Sequence, residues 1–168
     1  MLIIDDRFLN RKENEHHREF LDELIAPGKQ FQFAPYTVKP SDEDSHFTQH
    51  YLPRDSDWLD WVDGESFISF LSEILSSHGL YLNKVHRCAC NITYPNGKVS
   101  STPHVDHSFR HKQMLVYLNN NEGDTHIIDE EPISPKKYRC AIFDDSRHWH
   151  DFPISGHRAV LVFTFSVK

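Results

Sequence analysis

Apolar positions along this 168-residue chain change period partway. In the first half they recur at three- and four-residue intervals. Phe20, Leu21, Leu24 and Ile25 share one face of a helix that Asn10 can cap, with Glu13 three residues on, and that Pro27 and Gly28 end. Phe67, Phe70, Leu71, Ile74 and Leu75 predict a second helix over 65–77, closing at His78 and Gly79. Short apolar runs at 2–4 and 31–33 predict strands. From 34 to 60 the pattern fades into Pro35, Pro40, Pro53 and the acidic run Asp42, Glu43 and Asp44. That predicts a long surface segment, read as a lid, with Trp58 and Trp61 anchoring its end.

After Leu80 the period drops to two. Short stretches rich in β-branched, aromatic and cysteine residues alternate with Gly, Pro and Asn, and predict strands near 84–93, 99–105, 113–118, 125–128, 138–143, 147–151 and 158–167. On the last of these, Arg158, Val160, Val162 and Thr164 share one face, and Leu161, Phe163 and Phe165 share the other. Both faces are largely apolar, so one should line a barrel and the other meet the helices. Helices followed by a run of strands predict a mainly β (α+β) chain, a β-sandwich or jelly roll with the N-terminal helices packed on one sheet. The length suits one domain over 1–168, with 1–83 as helical support and lid and 84–168 as the jelly-roll core.

Composition narrows the partners. With 38% hydrophobic and 26% charged residues the chain is of globular type, and a formal net charge of −7 argues against a nucleic-acid partner. No apolar run is long enough to span a membrane, and the first residues lack a basic segment followed by an apolar one. Three cysteines, Cys88, Cys90 and Cys140, without such a leader point to reduced thiols and a cytoplasmic location. Cys88 and Cys90 share parity on a strand and read as small buried side chains.

One constellation carries chemistry. Residues two apart on a strand point the same way, so His104 and Asp106 offer an imidazole and a carboxylate to one point. A third imidazole from a distant strand would complete a facial triad of two histidines and one carboxylate. That donor set holds Fe(II) and leaves positions open for a bidentate 2-oxoacid and O2. His148 and His150 both qualify, and their shared parity does not separate them. The far carboxylate of the oxoacid needs a fixed cation. Arg158 follows Gly156 and shares a face with Val160 and Val162, which reads as an inward anchor with a planar, bidentate fork.

The segment 87–165, nearly half the chain, resembles the Fe(II)- and 2-oxoglutarate-dependent dioxygenases, in particular the branch similar to prolyl 4-hydroxylases. Tyr94, Pro95, Asn96 and Gly97 resemble that family's Tyr-Pro-Gly segment, and Pro103, His104, Val105 and Asp106 its His-x-Asp. Val116, Tyr117, Leu118 and Asn119, then Gly123, Asp124 and Thr125, resemble its Tyr-Leu-Asn and Gly-Gly-x-Thr, with Asp124 in place of the second glycine. Trp149, His150, Asp151, Phe152 and Pro153, followed by Gly156 and Arg158, resemble its distal histidine and Gly-x-Arg.

The resemblance implies a double-stranded β-helix, Fe(II) and 2-oxoglutarate as cofactor and co-substrate, and O2 as oxidant. It implies His104, Asp106 and His150 as metal ligands and catalytic centre, with Arg158, Tyr117 and Tyr94 on the co-substrate. His148 is the alternative distal ligand, since it lies ten residues before Arg158, the commoner family spacing, where His150 lies eight before it. The implied reaction is hydroxylation of a prolyl or other amino-acid side chain, a free amino acid or a small metabolite, with release of succinate and CO2. Two other readings remain: a nucleobase demethylase of the same superfamily, and a non-enzymatic jelly roll with a structural or empty metal site.

Overall fold

Strand β9, Arg158–Val167, shows how the period-two pattern becomes architecture. Leu161, Phe163 and Phe165 on one face join a core with Phe67, Phe70, Leu71 and Ile74 of helix α2, Glu65–Ser77. Val160 and Val162 on the other face join a second core with Leu115, Ile127, Ile133 and Phe143. One strand is therefore buried on both faces, as its sequence predicts.

The computed structural model describes residues 1–37, 42, 44–54, 56–57, 61 and 64–168. Around β9 lie β1 (Leu2–Asp5), β2 (Gln32–Ala34), β3 (His46–Leu52), β4 (Leu82–Thr93), β5 (Lys112–Tyr117) and β7 (Cys140–Asp144), which with it form one sheet in the order β1-β7-β5-β9-β4-β3-β2. The short strands β6 (Thr125–Ile127) and β8 (His148–His150) form a second sheet. All pairings are antiparallel. The two sheets enclose the second core, and α1 (Glu15–Glu23) and α2 cover the outer face of the large sheet through Leu21, Leu24 and the α2 residues above. This is a mainly β jelly roll, a double-stranded β-helix with the N-terminal helices on one sheet. Cys88 and Cys90 lie in the helix-facing core as their parity predicts, and Cys88, Cys90 and Cys140 are buried free thiols. No helix among the described residues is long and apolar enough to cross a membrane.

Four expectations are corrected in detail. The first α-helix begins at Glu15, behind a 3-10 turn at Lys12–Asn14. The Asn10 amide donates back to Asp6 O (2.8 Å), so it does not cap. Residues 34–60 are not one long loop, because β3 lies within them and pairs with both β2 and β4. This strand buries only Thr48 and Leu52, and its His46 lines a polar cavity, so no apolar alternation marks it. The other expected lid positions 38–41, 43, 55 and 58–60, Trp58 included, lie outside the described residues. Trp61 stacks on Phe67 at 5.2 Å between ring centroids and so anchors the core.

The stretch 99–105 is not a continuous strand and makes only isolated bridges, Ser100 to Asp151 and His104 to His148. Finally, Tyr138 takes a positive φ of 69°, which no strand tolerates, so β7 starts only at Cys140.

Candidate active site

The bridges that replace the expected strand at 99–105 build the site. His104 and His148 exchange both backbone hydrogen bonds, N to O at 3.0 and 2.9 Å. This fixes their imidazoles side by side, with ring centroids 4.6 Å apart. Further along, Ser101 N donates to His150 O at 2.8 Å. Three residues on one strand thus span what two span on the other, with Pro103, which has no N–H to give, inside the bulge. The result is that His148 stands opposite His104, whereas His150 stands opposite Ser101, about 7 Å along the strand.

Ligand atoms of His104, Asp106 and His148 all lie within 4.8 Å of one another. His150 is not in that group: of the expected grouping of His104, Asp106 and His150 the structure brings together the first two, and it is His148 that stands with them. Parity could not separate the two histidines; the register against 100–104 does, and register was not readable from the sequence.

The hydrogen bonds of the imidazoles suit metal ligation. His104 Nδ1 lies 2.9 Å from Thr102 O, and His148 Nδ1 lies 3.0 Å from Ser146 O. A carbonyl only accepts, so both Nδ1 atoms carry the proton and both Nε2 lone pairs are free. Burial pushes the His148 pKa down to about 4 against the pull of Asp106, which keeps the ring neutral. For Asp106, burial alone would raise the pKa. Arg87, His148 and Arg54 outweigh it and hold the carboxyl well below the usual range. Arg54 Nη2 donates to Oδ1 and Arg87 Nη1 lies 3.7 Å from the same oxygen. Oδ2, 3.8 Å from His148 Nε2, is left facing the imidazoles.

Arg158 anchors the other end of the same cavity, which Asn91, Thr93, Gln113, Thr125, His150 and Val162 also line. It is buried at 5% exposure. Its Nε donates to Gly123 O at 3.0 Å and its Nη2 to Thr125 Oγ1 at 2.7 Å, while the guanidinium sits 5.5 Å from the Tyr117 ring centroid. Tyr117 donates its hydroxyl to the same Thr125 Oγ1 at 2.7 Å. Tyr117 therefore stands beside the anchor and braces it. Tyr94 is not brought to the cavity. It is 46% exposed and meets Phe47 edge to face and the tilted His157 ring outside, because the chain leaves β4 one residue before it.

Gly123 is required where it stands. Its φ is 100°, and an added Cβ would meet Asp151 O at 2.6 Å and Arg158 Cδ at 3.1 Å. Gly123→Ala is expected to destabilise the fold by about 1–3 kcal/mol in urea unfolding and to weaken oxoacid binding by displacing Arg158.

Several site residues escaped the sequence reading. Arg87, Asn91 and Thr93 share one face of β4, opposite to Cys88 and Cys90, and all three line the cavity. Polar residues at 87, 91 and 93 on one face of a largely buried strand, with only Ala89 between them, were the available signal. Gln113, fully buried on β5, is a second case. Arg87 Nε, Thr93 Oγ1, Gln113 Oε1 and His150 Nε2 are buried and find no hydrogen-bond partner among the described residues. Such groups are rare in a finished fold, and their convergence on one cavity marks a binding site.

Comparison with family models finds no match, and comparison with curated proteins finds none either. Solved structures share the fold. An oxidoreductase of the 2OG-Fe(II) oxygenase family from Burkholderia pseudomallei superposes with a TM-score of 0.70 at 11% identity, over 98% of this chain and 84% of that one. A Pseudomonas putida prolyl-4-hydroxylase gives 0.63 at 18% identity, over 98% and 91%. A non-heme α-ketoglutarate-dependent epimerase from nogalamycin biosynthesis gives 0.62 at 9% identity, over 98% and 75%. At these identities the likeness is one of fold, the jelly roll of 2OG-Fe(II) oxygenases.

Proposed function

We propose that this chain is an Fe(II)- and 2-oxoglutarate-dependent dioxygenase, a single domain over 1–168 acting in the cytoplasm. Its reaction is the hydroxylation of an amino-acid side chain, prolyl or other, in a peptide or free, or of a small metabolite, with release of succinate and CO2. The observation that carries the reading is that the His104, Asp106 and His148 cluster and the buried Arg158 line one cavity, in which Arg87, Thr93, Gln113 and His150 each keep a buried polar atom without a partner among the described residues.

The donor set fits the metal. Two neutral imidazoles with free Nε2 lone pairs and one ionised carboxylate are what Fe(II) takes in a facial triad. His104, Asp106 and His148 would hold it. Bound there, Fe(II) would supply the activation of O2 and the oxidative decarboxylation of the co-substrate. The chain's own residues do the rest. Arg54 and Arg87 occupy Oδ1 of Asp106, so that Oδ2 is the oxygen presented. Arg158 offers its charge to the distal carboxylate of 2-oxoglutarate, and Tyr117 and Thr125 hold the guanidinium in place. Val160 and Val162 exclude water along the cavity wall.

A structural metal site would be closed by its protein ligands and would need neither a buried arginine nor an unpaired lining. The net charge of −7 speaks against a nucleic-acid substrate. The fold alone does not choose the reaction, since an epimerase shares it, so hydroxylation rests on the family resemblance of the motifs. The test is succinate release from 2-oxoglutarate by the Fe(II)-loaded protein under O2, first uncoupled and then across peptides, free amino acids and small acids. A substrate should raise release above the uncoupled rate. No succinate above a metal-free control, with no binding of 2-oxoglutarate, would overturn the reading.

A further inference from the structure

We infer that His150 and Thr93 complete, with Arg158, a seat of three hydrogen-bond donors for the distal carboxylate of 2-oxoglutarate, with Ser101 fixing the direction in which His150 donates. This rests on the proposed oxygenase reading and assigns His150 a role other than metal ligation.

The argument is one of hydrogen-bond accounting. His150 Nδ1 lies 3.1 Å from Ser101 Oγ, and the same oxygen accepts the His150 backbone N–H at 3.0 Å. Ser101 is 3% exposed, so its hydroxyl proton needs a buried acceptor, and His150 Nδ1 is the acceptor within reach. Donation from Ser101 to Nδ1 places the ring proton on Nε2. This is the opposite tautomer to that of His104 and His148, whose Nδ1 atoms face carbonyls. Those two rings therefore present lone pairs, as metal ligands must, and His150 presents an N–H.

That N–H has no acceptor among the described residues. Nε2 of His150 is buried and unpaired, as is Oγ1 of Thr93. Both residues sit beside Arg158. Thr93 is its register partner across β4 and β9, and His150 is the register partner of Thr125, whose Oγ1 accepts from Arg158. Two guanidinium nitrogens are spent on Gly123 and Thr125, and Nη1 is committed to neither bond. A guanidinium, an imidazole N–H and a hydroxyl line one cavity, and no carboxylate among the described residues makes a hydrogen bond or ion pair with any of them. A planar anion with two oxygens, four lone pairs and one charge fits this set; a neutral alkyl end does not.

The test uses the full chain loaded with Mn(II), which is stable in air, and follows heat on titration with 2-oxoglutarate and with 2-oxopentanoate, which has the same chain length and no distal carboxylate. His150→Phe and Thr93→Val should each weaken 2-oxoglutarate by about tenfold or more, the loss of one hydrogen bond to a charged group. Neither should change 2-oxopentanoate or Mn(II) affinity. His150→Gln, whose amide N–H reaches the position of Nε2, should keep most of the wild-type affinity, and Ser101→Ala should lose part of it. Wild-type affinity for 2-oxoglutarate in His150→Phe and Thr93→Val, or equal weakening of both oxoacids, would overturn the seat while leaving the oxygenase reading intact. Loss of Mn(II) in His150→Phe would return His150 to the ligand set. Failure of the wild-type protein to bind 2-oxoglutarate would overturn the oxygenase reading, and the seat with it.

Discussion

His148→Ala is expected to lower Fe(II) affinity by more than about 100-fold, whereas His150→Ala should leave it close to wild type. Loss of an outer-shell partner already costs 10–100-fold in metal affinity, and loss of one of three ligands costs more. The contrast between the two variants is the informative part. Both histidines are on the same strand, both line the same cavity, and both are held neutral by burial. They differ in what Nδ1 faces, a carbonyl for His148 and the Ser101 hydroxyl for His150, and in what stands opposite, His104 in one case and Ser101 in the other. Equilibrium dialysis with Fe(II) under nitrogen measures the difference directly. Retention of iron by His148→Ala together with its loss in His150→Ala would reverse the assignment.

Asp106 is a less clean probe of the same triad. Its carboxylate is the counter-charge of Arg87, which is buried at 7% exposure, and Arg54 also donates to it. Removing it leaves a buried guanidinium unpaired, a loss of about 3–5 kcal/mol. Asp106→Ala should therefore lose both metal and stability, and its inactivity alone would not separate ligation from folding. His148 strands no buried charge when removed, since Asp106 keeps Arg54 and Arg87 and the side-chain hydrogen bonds of His148 go to the Ser146 carbonyl and the Gln113 amide.

The fold was legible because β9 and α2 state their environment in their spacing. α2 runs over the residues its apolar face predicts, and the two faces of β9 meet the two cores they should. His104, Asp106 and Arg158 were legible as chemistry, because an imidazole and a carboxylate two residues apart, and an arginine opening an apolar strand, need a reason. What failed was long-range register. The bulge at Pro103 sets which histidine faces His104, and it depends on hydrogen bonds between segments more than forty residues apart. β3 failed for a different reason. It buries only Thr48 and Leu52, and its His46 lines a polar cavity, so neither face of the strand needs to be apolar. The same blindness hid Arg87, Thr93 and Gln113, which are buried and polar because they line a site.

Arg158→Ala is expected to raise the KM for 2-oxoglutarate by roughly 30-fold or more. A charge-assisted pair away from water loses about 2–5 kcal/mol when one partner is cut, because the other charge stays buried, and each 1.4 kcal/mol is tenfold where KM reports binding. The surroundings favour the upper part of that range. Arg158 is buried and pre-set by Gly123 and Thr125, so little ordering entropy is spent when the co-substrate arrives. Arg158→Lys should fall between the two, since it keeps the charge but cannot hold Gly123, Thr125 and the carboxylate together. Tyr117→Phe should cost less, about 1 kcal/mol, because its hydroxyl spends its proton on Thr125 and acts on the co-substrate only by bracing the arginine. Fe(II) affinity should hold in all three, since none of these residues belongs to the ligand cluster. Steady-state succinate release against 2-oxoglutarate concentration, paired with dialysis for iron, separates the anchor from the ligands. An unchanged KM in Arg158→Ala would place the anchor elsewhere and favour a jelly roll whose cavity serves a different acid.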